Sequence, residues 1–108
     1  MIAVAQLDHF IMGLANVKKT YPFEPTTAVY KVGDTLFALI AEDSNPVRLS
    51  LRCDPLLAQT LRAKYESVLP GQNLNPNQWN TVVCSGQLTD DELYDLVRHA
   101  YSLIEPAA

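Results

Sequence analysis

The sequence predicts an α+β fold, in which an antiparallel β-sheet packs against helices in two layers. Apolar residues recur three and four positions apart near both ends of the chain, which is typical of helices with one buried face. Between these segments, two apolar runs flank Gly33-Asp34, as in a β-hairpin, and residues 47–52 alternate between apolar and polar side chains. Because the predicted strands are grouped, we expect the helices to cover one face of the sheet.

The size and composition of the chain fit one domain spanning residues 1–108. Its apolar content of 48% is sufficient for a buried core. No stretch approaches the roughly 18 apolar residues that a membrane-spanning helix needs. Residues 1–14 contain Asp8 and no basic leader, so we expect a cytoplasmic protein without a membrane partner.

The first helix is predicted over residues 3–16, with Asn16 at its end. One apolar face contains Val4, Leu7, Ile11 and Leu14. Lys18 and Lys19 are expected just beyond this helix, where cations interact favourably with its C-terminus. Residues 20–27 include two prolines and are predicted to form an extended loop.

The hairpin is predicted to have a two-residue type II′ turn, with Gly33 at its first central position. This turn would place Val32 opposite Thr35 and Tyr30 opposite Phe37. The predicted core face contains Tyr30, Val32, Phe37 and Leu39. The predicted outer face contains Val29, Lys31, Leu36 and Ala38.

The third predicted strand, residues 47–52, separates two sets of side chains. Val47, Leu49 and Leu51 are expected on the core face, and Arg48, Ser50 and Arg52 on the outer face. The pair Asp54-Pro55 then predicts a helix that runs to about Tyr65, because Asp accepts hydrogen bonds at a helix start and Pro is tolerated at the first helical position.

The last part of the chain predicts a strand over residues 81–84 and a final helix. Thr89 and Glu92 have the spacing of a capping box, and Pro106 follows the predicted end of the helix. Its apolar stripe contains Leu93, Leu96, Val97, Ala100, Leu103 and Ile104. The predicted order is therefore helix, three strands, helix, strand, helix.

The residues do not predict an enzyme, a cofactor or a metal site. Cys53 and Cys84 are far apart and lack metal-ligand spacing, so we expect buried reduced thiols, with a disulfide or a reactive thiol as the alternatives. His9 and His99 are expected at the surface or the boundary of the core. The acidic cluster at residues 90–92 is explained by its position in the first turn of a helix.

The one candidate binding surface is the outer sheet face with Lys31, Arg48 and Arg52, near Trp79. These cations could contact phosphates and the indole could stack on a base. The alternatives are an ordinary solvated sheet face and a tryptophan that caps the core. The net charge of −4 argues against a strong nucleic-acid binder, because affinity for phosphates comes largely from Lys and Arg.

Several blocks in order resemble the MmcQ/YjbR family of small bacterial proteins: residues 29–39, 50–55, Pro70-Gly71, Leu74-Asn75 and 79–82. The resemblance implies a CyaY-like fold and DNA binding through a double-wing arrangement. Lys31, Arg52 and Trp79 match the family pattern. The loop residues 76–78, which often include a cation and a histidine in the family, are uncharged here.

Two other functions remain open at this point. A protein-interaction or homodimerisation module could use the apolar residues Val29, Leu36 and Ala38 of the outer face. An iron-handling module is suggested by the CyaY-like fold alone, and its acidic ridge would have to come from a first helix that contains a single carboxylate, Asp8.

Overall fold

A computed structural model describes residues 2–71 and 73–104 of the chain. Pro106, predicted to follow the last helix, lies outside the described residues. The elements are α1 (Val4–Met12), β1 (Val17–Thr20), β2 (Thr27–Val32), β3 (Thr35–Ala41), β4 (Arg48–Arg52), α2 (Pro55–Lys64), β5 (Val68–Pro70), β6 (Trp79–Val83) and α3 (Asp90–Ile104). None of the helices in these ranges has both the length and the apolar character needed to cross a membrane.

The strands form one antiparallel sheet in the order β1-β2-β3-β4-β6-β5. The predicted α+β class is confirmed, but two strands were missed and both lie at the borders of the sheet. β1 contains two lysines and β5 ends at Pro70. Lysine, proline and shortness protect exposed sheet borders against unwanted pairing, and they also remove the usual sequence signal of a strand.

The first helix is shorter than predicted and leaves room for β1. It ends at Met12, and Asn16 adopts a φ of 65° in the connection that follows. Lys18 and Lys19 therefore lie in a strand and not at a helix C-terminus. Asparagine tolerates this left-handed conformation, so its use as a turn residue was anticipated even though the helix boundary was wrong.

The β2-β3 hairpin has the predicted two-residue turn, with positive φ at Gly33 and Val32 paired with Thr35. Two residues before the turn, the register shifts by one residue. Tyr30 pairs with Ala38, whereas the prediction paired it with Phe37. Phe37 is the extra residue of a β-bulge, and such an insertion exchanges the two faces for all the residues beyond it. Ala38 consequently lies on the core face and Leu39 on the outer face, the reverse of the prediction.

All three helices pack on the same face of the sheet. The main core includes Leu7 and Ile11 of α1, Leu93 and Val97 of α3, and Tyr30, Phe37, Ile40, Leu49, Leu51 and Val82 of the sheet. Leu61 and Tyr65 connect α2 to the same core. The predicted alternation in β4 is confirmed, whereas Leu103 is exposed and does not belong to the buried stripe of α3.

Local hydrogen bonds define the starts of the second and third helices as predicted. The Asp54 carboxylate accepts from the backbone N–H groups of Leu56 and Leu57. The Thr89 hydroxyl accepts from the Glu92 N–H at 3.1 Å, and the Glu92 carboxylate accepts from the Thr89 N–H at 2.9 Å. The backbone hydrogen bond from Thr89 and the adjacent hydroxyl lower the pKa of Glu92.

A polar cluster joins β1 to α1 at the border of the core. One oxygen of Asp8 accepts from the Tyr30 hydroxyl at 2.8 Å and from the Lys19 ammonium at 2.9 Å. Burial alone would raise the pKa of Asp8, but the hydrogen bonds from Lys19 and Tyr30 outweigh it and hold the pKa below its ordinary value. Burial and the adjacent carboxylate raise the pKa of Tyr30, so its hydroxyl stays a donor.

Candidate nucleic-acid interface

The sheet face opposite the helices, called here the open face, carries the cations predicted from the sequence. Residues paired across antiparallel strands share a face, so the register assigns the side chains row by row. One row of side chains crosses the sheet from β1 to β6. In it, Lys18 pairs with Lys31, Lys31 pairs with Leu36, and Arg52 pairs with Trp79. We call it the cationic row, and it consists of Lys18, Lys31, Leu36, Arg52 and Trp79.

Arg52 and Trp79 form a fixed unit within the cationic row. The Arg52 guanidinium carbon lies 5.1 Å from the centre of the indole, and its Nε donates to the Leu36 carbonyl at 2.6 Å. Trp79 is 4% exposed and belongs to a second apolar cluster with Val29 and Leu39. The indole thus supports Arg52 from below, and the structure offers no free face of Trp79 for a base.

Gly71 secures the position of Trp79 on the open face. The Gly71 N–H donates to the Trp79 carbonyl at 3.0 Å, and a Cβ added at Gly71 would lie 2.6 Å from the Trp79 Cβ. No side chain fits at that distance without a shift of the strand or the loop. The Pro70-Gly71 pair, predicted only as a chain break, is therefore also the point where the loop approaches β6.

Three side-chain cations make no ion pair or hydrogen bond with any described residue, and all three lie on the open face. They are Lys18, Lys31 and Arg48. The other five have partners: Lys19 bonds Asp8, Arg52 bonds the Leu36 carbonyl, Arg62 bonds Asn80, Lys64 lies over Tyr65 and Arg98 bonds Asp95. Lys18 and Lys31 are direct cross-strand neighbours, an arrangement of like charges that is unfavourable without an anion between them.

The carboxylates are distributed unequally between the two layers. Six of the twelve lie on the helices or cap them: Asp8, Asp54, Asp90, Asp91, Glu92 and Asp95. Glu42 accepts from the Tyr21 hydroxyl at 2.9 Å, and Glu24 and Asp43 line a groove that also contains Arg48. Asp34 lies in the hairpin turn next to the cationic row. Half of the carboxylates therefore lie on the helix side of the sheet, whereas Glu24, Asp34 and Asp43 lie beside the cations of the open face.

A groove of about 650 Å³ lies beside the cationic row, between three loops. Its floor includes Leu39 and Ser50, and the Ser50 and Thr81 hydroxyls are hydrogen-bonded to each other at 2.8 Å. Leu74 packs on the neighbouring apolar cluster and forms one wall. Phe23 forms part of the rim and is 65% exposed, the most exposed aromatic side chain among the described residues.

The apolar surface that the sequence predicted for a homodimer is absent from the described outer face. Val29 is buried within the second apolar cluster, and Ala38 points towards the helices because of the bulge at Phe37. Only Leu36 of the predicted trio remains partly exposed on the open face. The expected patch is therefore wrong: the bulge places Ala38 on the core face, and packing with Trp79 and Leu39 buries Val29.

The side chains that could act as nucleophiles or bases, the cysteine thiols and the His99 imidazole, lie away from the open face. Cys53 and Cys84 are both free and buried, and burial raises the pKa of each thiol to about 11. The Nε2 atom of His99 accepts from the Asp54 N–H at 3.1 Å, which gives this histidine a structural partner. Within the described residues, no three His, Cys, Asp or Glu side chains are grouped so that they could hold a metal ion.

Two residues of this surface were missed as functional candidates. Lys18 was placed beyond a helix end because β1 was not recognised, and the two adjacent lysines of β1 interrupt the alternation that would have indicated a strand. Phe23 stands between Pro22 and Pro25 in an otherwise polar loop, and an aromatic residue in such a setting is a signal that could have been used. The placement of Lys31, Arg48 and Arg52 on one face agrees with the alternation of the sequence.

Comparison with known proteins places the chain in a family. The sequence model of the YjbR family matches residues 12–103. The chain is 31% identical to the uncharacterized protein YjbR of Escherichia coli K12 over 100 residues, 93% of this chain and 85% of that protein. It is 28% identical to the uncharacterized protein YbdF of Escherichia coli O157:H7 over 91 residues, 84% of this chain and 75% of that protein. The chain belongs to the YjbR family.

Solved structures show the same fold. A crystal structure of a Deinococcus radiodurans protein with a DUF419 domain has a TM-score of 0.91 and 34% identity, covering 96% of this chain and 79% of that one. A Pseudomonas syringae protein has a TM-score of 0.80 at 24% identity, covering 94% and 98% of the two chains. The family resemblance is thus confirmed, while its CyaY-like detail stays a prediction.

Proposed function

We propose that this member of the YjbR family is a non-catalytic module that binds nucleic acid through the open face of its sheet. The observation that carries the proposal is the concentration of unpartnered cations on this face. Lys18, Lys31 and Arg48 have no partner among the described residues, whereas the five cations with partners include those of the helices. A phosphate chain would supply the missing anions.

The spacing of these cations suits an extended polyanion. Adjacent strands lie about 4.8 Å apart and successive residues about 3.3 Å apart, so Lys18 and Arg48 are on the order of 20 Å apart across the face. One strand of a duplex advances about 3.4 Å per nucleotide along the helix axis. The face could therefore contact three or four phosphates of a bound strand, with Arg52 held ready by Trp79.

The absence of catalysis is part of the proposal and is supported by the chemistry of the candidate nucleophiles. The raised pKa values of Cys53 and Cys84 keep these thiols protonated and weakly reactive at neutral pH. Neither cysteine lies on the open face, because Cys84 packs in the helix-side core and Cys53 follows the end of β4. The open face contributes cations and hydroxyls, which bind phosphate chains without activating a nucleophile.

Fluorescence anisotropy with labelled single-stranded and duplex DNA tests the proposal. Three to four phosphate contacts on duplex DNA predict an affinity loss of about 40- to 150-fold between 50 and 200 mM salt. The double variant Lys31→Gln/Arg48→Gln should bind at least tenfold more weakly than wild type at low salt. The control Lys64→Gln/Arg98→Gln changes the net charge equally but on the helices, and it should leave binding almost unchanged.

Two results would overturn the proposal. One is the lack of any anisotropy change at 50 mM salt, where electrostatic attraction is strongest. The other is an equal loss of affinity in the two double variants, which would show that only the net charge matters. Circular dichroism of each variant separates a binding defect from a folding defect.

A further inference from the structure

The groove beside the cationic row has features that a phosphate-binding face alone does not need. Its lining combines an exposed aromatic ring, Phe23, with two carboxylates, Glu24 and Asp43, and with Arg48. Resting on the proposed function, we infer that the groove takes up an unstacked base of single-stranded nucleic acid, and that it prefers bases with an exocyclic amino group.

Phe23 provides the stacking surface for this base. Its side chain is largely exposed, and no described aromatic side chain or cation lies against its ring. Pro22 and Pro25 flank it and restrict the backbone of the loop, so less conformational entropy is lost when the ring orders against a ligand. An exposed aromatic ring in a restricted loop is available to stack on a flat partner such as a base.

The size and position of the groove favour a single strand over a duplex. Its volume of about 650 Å³ is typical of small-ligand sites and accommodates a base together with its sugar. A base in a duplex is already stacked and paired, so it could enter only after being extruded. A base of a single strand is free to turn into the groove while its phosphates follow Arg48 and the cationic row.

The two carboxylates orient the ligand and select among bases. Glu24 and Asp43 repel phosphates, so the backbone is kept on the side of Arg48 and the base points inwards. Carboxylates accept hydrogen bonds and have none to donate when ionised, which suits the amino group of cytosine or adenine. Thymine presents a carbonyl at the corresponding position, which a carboxylate repels.

The test compares oligo-dC, oligo-dT and a duplex, each of about 12 nucleotides, at neutral pH by anisotropy. Wild-type protein should bind oligo-dC more tightly than oligo-dT. Phe23→Ala should weaken binding of oligo-dC by about 5- to 150-fold and change duplex binding by less than about twofold. Phe23→Trp should restore the affinity, and Leu56→Ala, which truncates an exposed apolar residue on α2, is the matched control.

Further variants address selectivity and separate this inference from the proposed function. Glu24→Gln/Asp43→Asn should reduce the preference for oligo-dC over oligo-dT, because the amides both donate and accept hydrogen bonds. The inference is overturned if wild type binds DNA in a salt-dependent way but Phe23→Ala binds oligo-dC normally, in which case the proposed function still stands. A protein that binds none of the three probes at low salt refutes both.

Discussion

The polar cluster of Asp8, Lys19 and Tyr30 allows a quantitative test of how β1, and with it Lys18, is attached to the rest of the sheet. Asp8→Ala removes the oxygen that accepts from both Tyr30 and Lys19. The Tyr30 residue is completely buried, so its hydroxyl would lose its only described partner. We expect the free energy of unfolding to fall by about 2–3 kcal/mol, mostly from the unsatisfied hydroxyl.

The contribution of Lys19 to this loss is small. The side chains of Asp8 and Lys19 are each 30% exposed, and an ion pair in contact with water contributes about 0.2–1 kcal/mol. A chain of 108 residues has an unfolding entropy of about 0.23 kcal/mol/K. The melting temperature of Asp8→Ala should therefore fall by about 10 °C.

A double-mutant cycle isolates the hydrogen bond between Asp8 and Tyr30. Tyr30→Phe alone should destabilise the fold by about 1 kcal/mol, because Asp8 keeps its contact with Lys19. The double variant Asp8→Ala/Tyr30→Phe should be more stable than the sum of the single changes implies, with a coupling of about 1–2 kcal/mol. Urea unfolding monitored by circular dichroism measures all four proteins.

The effect should also depend on pH, with a sign that follows from the lowered pKa of Asp8. A carboxylate whose pKa is lower in the folded state stabilises the fold above its unfolded pKa of about 3.9, and this stabilisation is lost as the pH falls through the folded pKa. The stability difference between wild type and Asp8→Asn should be constant near neutral pH and shrink below about pH 4. A coupling below about 0.5 kcal/mol, or a difference that does not change with pH, would refute the reasoning.

One further variant and one chemical probe examine other parts of the structure. Gly71→Ala should destabilise the fold by about 1–3 kcal/mol and shift Trp79 emission to longer wavelength, because its Cβ would lie 2.6 Å from the Trp79 Cβ; unchanged stability and emission would contradict the close approach. Cys53 and Cys84 should react with a thiol reagent at pH 8 about 100-fold more slowly in the native protein than in urea, because burial raises their pKa to about 11. Fast native labelling of either residue, measured by mass spectrometry, would disprove that assignment.

The parts of the fold that the sequence predicted depend on contacts between residues close in the chain. The starts of α2 and α3 follow from hydrogen bonds that Asp54 and Thr89 make within three residues. The alternation of β4 follows from strand geometry, which sends successive side chains to opposite faces. These signals needed no knowledge of the rest of the chain.

The bulge at Phe37 could not be predicted in this way. Both Phe37 and Ala38 are apolar, so either could have pointed to the core, and the hairpin pattern is compatible with both registers. The ring of Phe37 lies 5.5 Å from that of Tyr101 on α3, far along the chain. Packing against this helix favours the bulged register, and the exchange of faces beyond Phe37 follows from it.

The candidate site was predicted in part. The sequence placed Lys31, Arg48 and Arg52 on one face, and that face is the open one. The alternative in which Trp79 caps the core is confirmed by its burial, and its role in stacking on a base is wrong. The sequence did not anticipate that the indole lies beneath Arg52, because that contact depends on how two strands pair. Phe23 was missed for a related reason, since a groove between three loops has no counterpart in local sequence.

The sequence by itself determined the α+β class, the helix caps and the face on which the β4 arginines lie, because each depends on periodicity or on neighbours a few residues away. Only the tertiary structure decided the two border strands, the bulge, the partners of each cation and the groove. Those features depend on packing and on charge–charge contacts between residues that are far apart in the sequence. Among the described residues, Lys18, Lys31 and Arg48 have no ion-pair or hydrogen-bond partner, which could be seen only once the positions of all the surrounding side chains were known.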